Sequence, residues 1–170
     1  MRRKLIVRLL TVVCMLFSFS FVFGEVGKGD FGVGINYPGL GARYFLSDKI
    51  SLELKGQFET NITVGGLRGY YYFNPKSKSK TKTKSKSTYL LFAGLEGDYV
   101  SFKGDVSKGT GLAGELFIGG EYFFTKSFSL QLDLGPALIS LTDKDTSESV
   151  NGVEYVTNFG INYYFGKGGK

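Results

Sequence analysis

The residues best able to do chemistry in this chain are charged side chains that fall on one side of an alternating pattern. They are Arg43, Glu53, Lys55, Arg68, Glu96, Asp98, Glu115, Glu121 and Asp133. Successive side chains of a strand point to opposite faces, so residues of one parity share a face. Three kinds of chemistry suit such a set. The charges can pair into a plug, line a narrow cation path, or place two carboxylates for general acid–base work. No spacing among the acids argues for the last. The chain has no His and one Cys, Cys14. A serine–histidine device, which needs an imidazole base, is therefore excluded.

The elements that must position these charges are strands. Phe31 to Asn36, Leu40 to Leu46, Ile50 to Glu59 and Thr63 to Phe73 alternate with period two, as do Tyr89 to Tyr99, Leu112 to Phe124, Phe128 to Leu138 and Val153 to Phe165. Turns are expected at Tyr37-Pro38-Gly39, Ser47–Lys49, Thr60-Asn61 and Thr125–Ser127, and polar loops at Lys103–Gly109 and Thr142–Gly152. Glu59 and Glu154 join the nine charges above on one parity, and the other parity carries no charge in any strand. That face holds Leu54, Leu67, Leu95, Leu116, Leu132 and similar residues instead. Eight such strands suit an antiparallel up-and-down transmembrane β-barrel with charges in the lumen and apolar residues towards lipid. A Lys or Arg facing lipid at mid-depth would cost about 2–4 kcal/mol. A soluble lipocalin-like binder alternates in the same way with the faces reversed. Strands of membrane-spanning length and aromatics near strand ends, such as Tyr44, Phe73, Tyr99, Tyr122, Phe124, Phe128 and Phe165, favour the membrane version.

Composition agrees. The 170 residues, one domain's length, include 25 Gly, 16 Phe and 11 Tyr, and no Trp. The formal charge of +6 is local. Taking away the four bases of the first 24 residues and the six lysines of 74–87 leaves −4, so a nucleic-acid partner is not expected. Residues 1–24 read as a signal peptide: Arg2, Arg3, Lys4 and Arg8 precede an uncharged run from Leu9 to Phe23, too short for a comfortable membrane helix. With cleavage after Gly24, residues 25–170 form the barrel domain and contain no Cys. Lys76, Lys78, Lys80, Lys82, Lys84 and Lys86 punctuate a low-complexity Lys/Ser/Thr tract at 74–87, which cannot bury a core. It suits contact with anionic lipid or cell-wall polymer, or a plain solvated turn.

Two G-x-G-x-x-G matches, Gly27–Gly32 and Gly109–Gly114, run into period-two alternation rather than a helix. They are strand and turn glycines, not dinucleotide sites. Asp143, Asp145 and Glu148 offer oxygen ligands of the kind Ca²⁺ takes, although a solvated loop is the simpler reading. No cofactor is expected.

The last strand carries a further pattern. Asn158-x-Gly160-x-x-Tyr163-x-Phe165 resembles the C-terminal signal by which bacterial outer-membrane barrels are recognised for insertion. Together with Gly39–Phe45, Arg68–Phe73 and Gly119–Phe124, it makes residues 30–165 resemble the small outer-membrane barrels of the OmpA-transmembrane, OmpX and opacity-protein type. Here Gly166–Lys170 follows the terminal aromatic, which usually ends such chains, and the lysine tract stands where a short periplasmic turn is usual. The resemblance implies the outer membrane of a diderm bacterium, contact with its lipid, and the barrel-assembly machinery as a partner during biogenesis. It also implies a non-enzymatic structural or surface role. The alternatives are a narrow porin-like channel, an adhesin or host-binding protein, and the soluble binder above.

Overall fold

The computed structural model describes residues 26–73, 89–104 and 108–165. The strands are β1 (Phe31–Tyr37), β2 (Gly39–Phe45), β3 (Ile50–Glu59), β4 (Ile62–Tyr72), β5 (Tyr89–Lys103), β6 (Lys108–Phe123), β7 (Phe128–Asp143) and β8 (Ser149–Phe165). Each pairs antiparallel with its chain neighbour, and β1 pairs with β8, so the sheet closes into an eight-stranded antiparallel barrel. The expected signal peptide at 1–24, the tract with Lys76, Lys78, Lys80, Lys82, Lys84 and Lys86, and the segment 166–170 lie outside the described residues.

The turns at one end share a chemistry that the sequence dictates. At 46–49, Ser47 Oγ accepts the backbone N–H groups of Lys49 and Ile50, while Leu46 and Ser47 both donate to the Ile50 carbonyl. At 124–127, Thr125 Oγ1 accepts from Ser127 and Phe128, and Phe124 and Thr125 donate to the Phe128 carbonyl. A hydroxyl at the turn's start satisfies donors that the ladder leaves over. At the other end Asn61 takes a left-handed conformation (φ 72°) in the two-residue Thr60-Asn61 turn.

The strands are unequal. β1 and β2 have 7 residues each, whereas β5 to β8 have 15, 16, 16 and 17. This corrects the expected polar loops. Lys103, Lys108 and Gly109 of the first, and Thr142, Asp143 and 149–152 of the second, are ladder, with Lys103 opposite Lys108 and Thr142 opposite Ser149. Polar side chains there mark where the outer face stops being apolar, not where the strand stops.

Glycines make the interior fillable. Gly32 faces Tyr164 in register, Gly34 faces Asn162, Gly66 faces Asp98, and Gly94 faces Phe117. A Cβ on any of the four would stand 2.5 Å or less from its partner's side chain. Each glycine thus lets the inward residue beside it lie across the sheet. Gly135 is a different case: a Cβ there would meet the Leu116 carbonyl at 1.7 Å, and the β6–β7 ladder skips Leu116 and Phe117 opposite Gly135-Pro136.

The outer surface is apolar. Leu54 and Leu138 are each 67% exposed, and Leu95, Ile118 and Leu132 stand beside them in the same belt. The buried residues are instead mostly charged, amide and aromatic.

Candidate functional site: the charged lumen

The barrel register arranges the charges before any side chain reaches out. Arg43 lies directly opposite Glu53, Glu53 opposite Arg68, Arg68 opposite Glu96, and Glu96 opposite Glu115. The line alternates in sign over four strands and then sets two acids side by side.

Near the turn end, Arg43 is the centre of one group. Its Nε donates to Glu53 Oε2 at 2.7 Å. Nη1 donates to the hydroxyls of Tyr72 (3.1 Å) and Tyr164 (2.9 Å), and Nη2 to the Tyr70 hydroxyl (2.8 Å) and Gln131 Oε1 (2.6 Å). Its guanidinium lies 4.0 Å from the centre of the Tyr70 ring. Glu121 completes the group at 3.4 Å from Nη1, and accepts from Tyr164, Asn162 and Ser129. Asn36 donates to the remaining Glu53 oxygen at 2.8 Å. One buried cation therefore ties β2 to β3, β4, β6, β7 and β8, and all three charges in the group have hydrogen-bonded partners. That is what a low-dielectric interior demands of them.

Around this group sits an aromatic layer. Phe45, Tyr70, Tyr72, Leu90, Phe92, Phe117, Phe123 and Tyr164 form one buried cluster with Val26. Tyr70 meets Phe92 and Phe117 edge-on at 5.2 Å between ring centres, a favoured geometry. The segment before β1 closes this end: Gly29 donates to the Phe45 carbonyl and Phe45 to that of Asp30, each at 2.9 Å.

Farther from the turns lies a second group around Arg68 and Lys55. Lys55 Nζ is 2.5 Å from Glu96 Oε1, Arg68 Nε is 2.6 Å from Glu96 Oε2, and Arg68 Nη2 is 2.7 Å from Asp133 Oδ1. Asn158 donates to Asp133 at 2.9 Å and reaches Glu115 Oε2 at 3.4 Å. Gln131 donates to Asp133 at 2.7 Å and so joins the two groups. Two cations here meet four acids, Glu96, Asp98, Glu115 and Asp133. Asp98 Oδ1 and Glu115 Oε1 have no hydrogen-bond partner among the described residues.

All nine charges expected in the lumen thus stand inside the barrel, in two linked groups. Of the closing-strand pattern, Asn158 and Gly160 point inward, and Gly160 leaves room for Asn36, whose Oδ1 lies 2.0 Å from where a Cβ would stand. Phe165 is exposed on the outer face, where Tyr163 packs against it at 4.8 Å. Asp143, Asp145 and Glu148 form a turn in which Asp143 Oδ1 accepts the N–H groups of Asp145 and Thr146. No group of acids, His or Cys among the described residues is arranged to hold a metal.

Sequence reasoning missed the tyrosines and amides. Tyr70, Tyr72, Tyr164, Gln131, Asn36 and Asn162 supply most of the hydrogen bonds to Arg43, Glu53 and Glu121. The signal was there, because each shares its strand's parity with a charge or an inward glycine. The expected polar face was counted by charge alone.

No protein-family model matches the chain, and no curated protein matches it. Among solved structures the chain is similar to the N-terminal β-barrel domain of Pseudomonas aeruginosa OprF. The likeness has a TM-score of 0.50 and 17% identity, over 82% of this chain and 100% of that one. It is a likeness of fold.

Proposed function

We propose that this chain is an outer-membrane barrel of a diderm bacterium, with a closed lumen and a non-enzymatic, structural role in the envelope. The observation that carries the reading is the inversion of inside and outside. Arg68 is fully buried while Leu54, Leu95, Ile118 and Leu138 are open to the surroundings. A soluble protein rarely exposes a contiguous apolar patch above a few hundred Å², whereas a lipid-facing barrel requires an apolar belt. On β5, β6, β7 and β8 the outward belt runs from Tyr89 to Tyr99, Tyr122 to Leu112, Phe128 to Leu138 and Phe165 to Tyr155. Ten residue steps of ~3.3 Å on a tilted strand rise roughly 25 Å, the height of a membrane barrel's belt.

The lumen argues for a plug rather than a pore. Arg43 bridges to five other strands, and aromatic rings fill the same level. An eight-stranded barrel is just wide enough for side chains to fill it. The hairpin tip at 144–148 is short, which gives little support to a large loop-borne adhesive surface. In this reading residues 1–24 direct export, and Asn158, Gly160, Tyr163 and Phe165 present the closing strand to the assembly machinery. Lys76, Lys78, Lys80, Lys82, Lys84 and Lys86 meet anionic lipid or cell-wall polymer.

Refolding residues 25–170 with lipid vesicles tests the membrane assignment. The barrel is expected to float with the vesicles and resist alkaline extraction. A monodisperse protein in detergent-free buffer that ignores vesicles would overturn it.

A further inference from the structure

The barrel closes only along its lower part. β8 pairs with β1 from Phe165↔Phe31 up to Phe159↔Tyr37, where β1 ends, but β8 continues to Ser149. On its other side β8 stays paired with β7 all the way to Thr142↔Ser149. Residues 149–158 of β8 therefore form a strand with one ladder and one open edge. Tyr164 donates to the Ser127 carbonyl on the β7 side. Backbone groups of an antiparallel strand alternate sides, so those of Asn151, Val153, Tyr155 and Thr157 turn away from β7. No described strand meets them. Tyr155 is 85% exposed, and residues 149–155 are exposed throughout.

Such an edge is normally blunted by Pro, by charged side chains or by a covering loop. Residues 149–158 contain no Pro and a single charge, Glu154, and read Ser-Val-Asn-Gly-Val-Glu-Tyr-Val-Thr-Asn, rich in strand-forming types. Across the gap above the Tyr37-Pro38-Gly39 tip, β3 also overreaches its neighbour: β2 pairs with it only as far as Gly56, leaving Gln57, Phe58 and Glu59 unpaired on that side. From β8 to β3 is three strand spacings, about 14 Å, which leaves the room of two missing strands. The charges bordering the gap, Glu154 and Glu59, are both acidic and exposed.

We propose that the open edge of β8 is a strand-addition site for an extended, basic segment of a partner protein. The added strand continues the ladder where β1 stops. Its backbone bonds to Asn151, Val153, Tyr155 and Thr157, its outward side chains lie beside Val153 and Tyr155, and its inward Lys or Arg meets Glu154. Main-chain pairing supplies affinity and the alternate side chains supply selectivity. A second copy in the same membrane is the poorer occupant, because its β8 would run parallel to this one rather than antiparallel. The open edge itself rests on the strand register alone, and the choice of a partner protein over a second copy rests on the membrane reading.

Hydrogen exchange of the full chain in detergent micelles tests it, with a seven-residue Thr-Lys-Val-Lys-Thr-Lys-Val peptide as the probe. Without peptide, the amides of Val153, Tyr155 and Thr157 should exchange much faster than those of Gly152, Glu154 and Val156, which bond to β7. Saturating peptide should slow the first set at least tenfold. The same peptide N-methylated on alternate residues keeps its charge but cannot pair, and should slow nothing. Val153→Pro removes an outward N–H and should abolish the protection. Glu154→Lys, at an exposed site, should weaken peptide binding at least tenfold while the barrel remains folded. The proposal is overturned if the N-methylated peptide protects equally, or if neither substitution weakens binding. It is also overturned if the outward amides are already slow without peptide, whether from an internal cover or from concentration-dependent pairing of two copies.

Discussion

The two charge groups of the lumen use the same residue types and reach different states. Around Arg43, one cation and two acids are saturated by tyrosine hydroxyls, amides and Ser129. Around Arg68 and Lys55, two cations face four acids, and oxygens of Asp98 and Glu115 are left over. The difference follows from what surrounds them. The Arg43 group sits among rings that exclude water, so every charge needs a built-in partner. The Arg68 guanidinium also lies against a ring, 4.1 Å from the centre of Phe117, but its group extends to Lys55 and Asp98, which are only half-buried. Surplus acids can be tolerated there, because hydration replaces some of the missing partners. One group behaves as a rivet and the other as an unfinished network.

Breaking the rivet should cost most. Arg43→Met leaves Glu53 and Glu121 buried without their cation, and is expected to destabilise the barrel by about 3–5 kcal/mol. Denaturant unfolding followed by the electrophoretic shift of the folded form would measure it. A loss below about 1 kcal/mol would put Arg43 in an environment far wetter than this packing allows. Arg68→Met should cost less, roughly 2–3 kcal/mol, because Lys55 still holds Glu96 and Asn158 still holds Asp133.

A smaller contrast separates two glutamates. Glu121→Gln removes the charge beside Arg43 and turns an amide NH2 either on the Arg43 guanidinium or on the donors Tyr164, Ser129 and Asn162, and should destabilise by about 1–3 kcal/mol. Glu115→Gln relieves like charges set directly opposite each other and should be neutral or stabilising by up to about 1 kcal/mol. If the two substitutions cost the same, the distinction between the groups is lost.

The glycines sharpen the comparison further. Gly32→Ala forces a methyl to 2.5 Å from the Tyr164 ring, whose hydroxyl is bonded to Arg43 and Glu121 and cannot yield cheaply. An overpacking loss of about 1–3 kcal/mol is expected. Gly66→Ala meets Asp98 Oδ1, the end of a short side chain with an unbonded oxygen, so its cost in the same unfolding experiment should be under about 1 kcal/mol.

The sequence and the structure part company at particular residues. Strand number, direction and parity were legible, because period-two alternation survives even where Gly replaces a side chain, as at Gly34 or Gly120. The nine lumen charges were legible for the same reason. Strand height was not: Lys103, Lys108, Thr142 and Ser149 look like loop residues, yet each has a ladder partner. Nor were the partners of the charges. Arg43 meets Glu121 across 78 residues of sequence and Tyr164 across 121. Which inward residues share a level depends on the stagger of eight strands, which no local pattern encodes. The aromatic layer was hidden for another reason. Phe45, Phe92 and Phe123 sit on the parity of the charges, where hydropathy alone would place them among errors of register.

Planar-bilayer conductance of the refolded barrel, beside Arg43→Ala, tests the closed lumen most directly. With both rings and ion pairs in place, the native barrel should insert and remain electrically silent. Arg43→Ala, which unlocks the level where six strands meet, should show transient openings if it inserts. Steady conductance by the native barrel, unchanged by Arg43→Ala, would contradict the plug and make the charged lumen a path for ions.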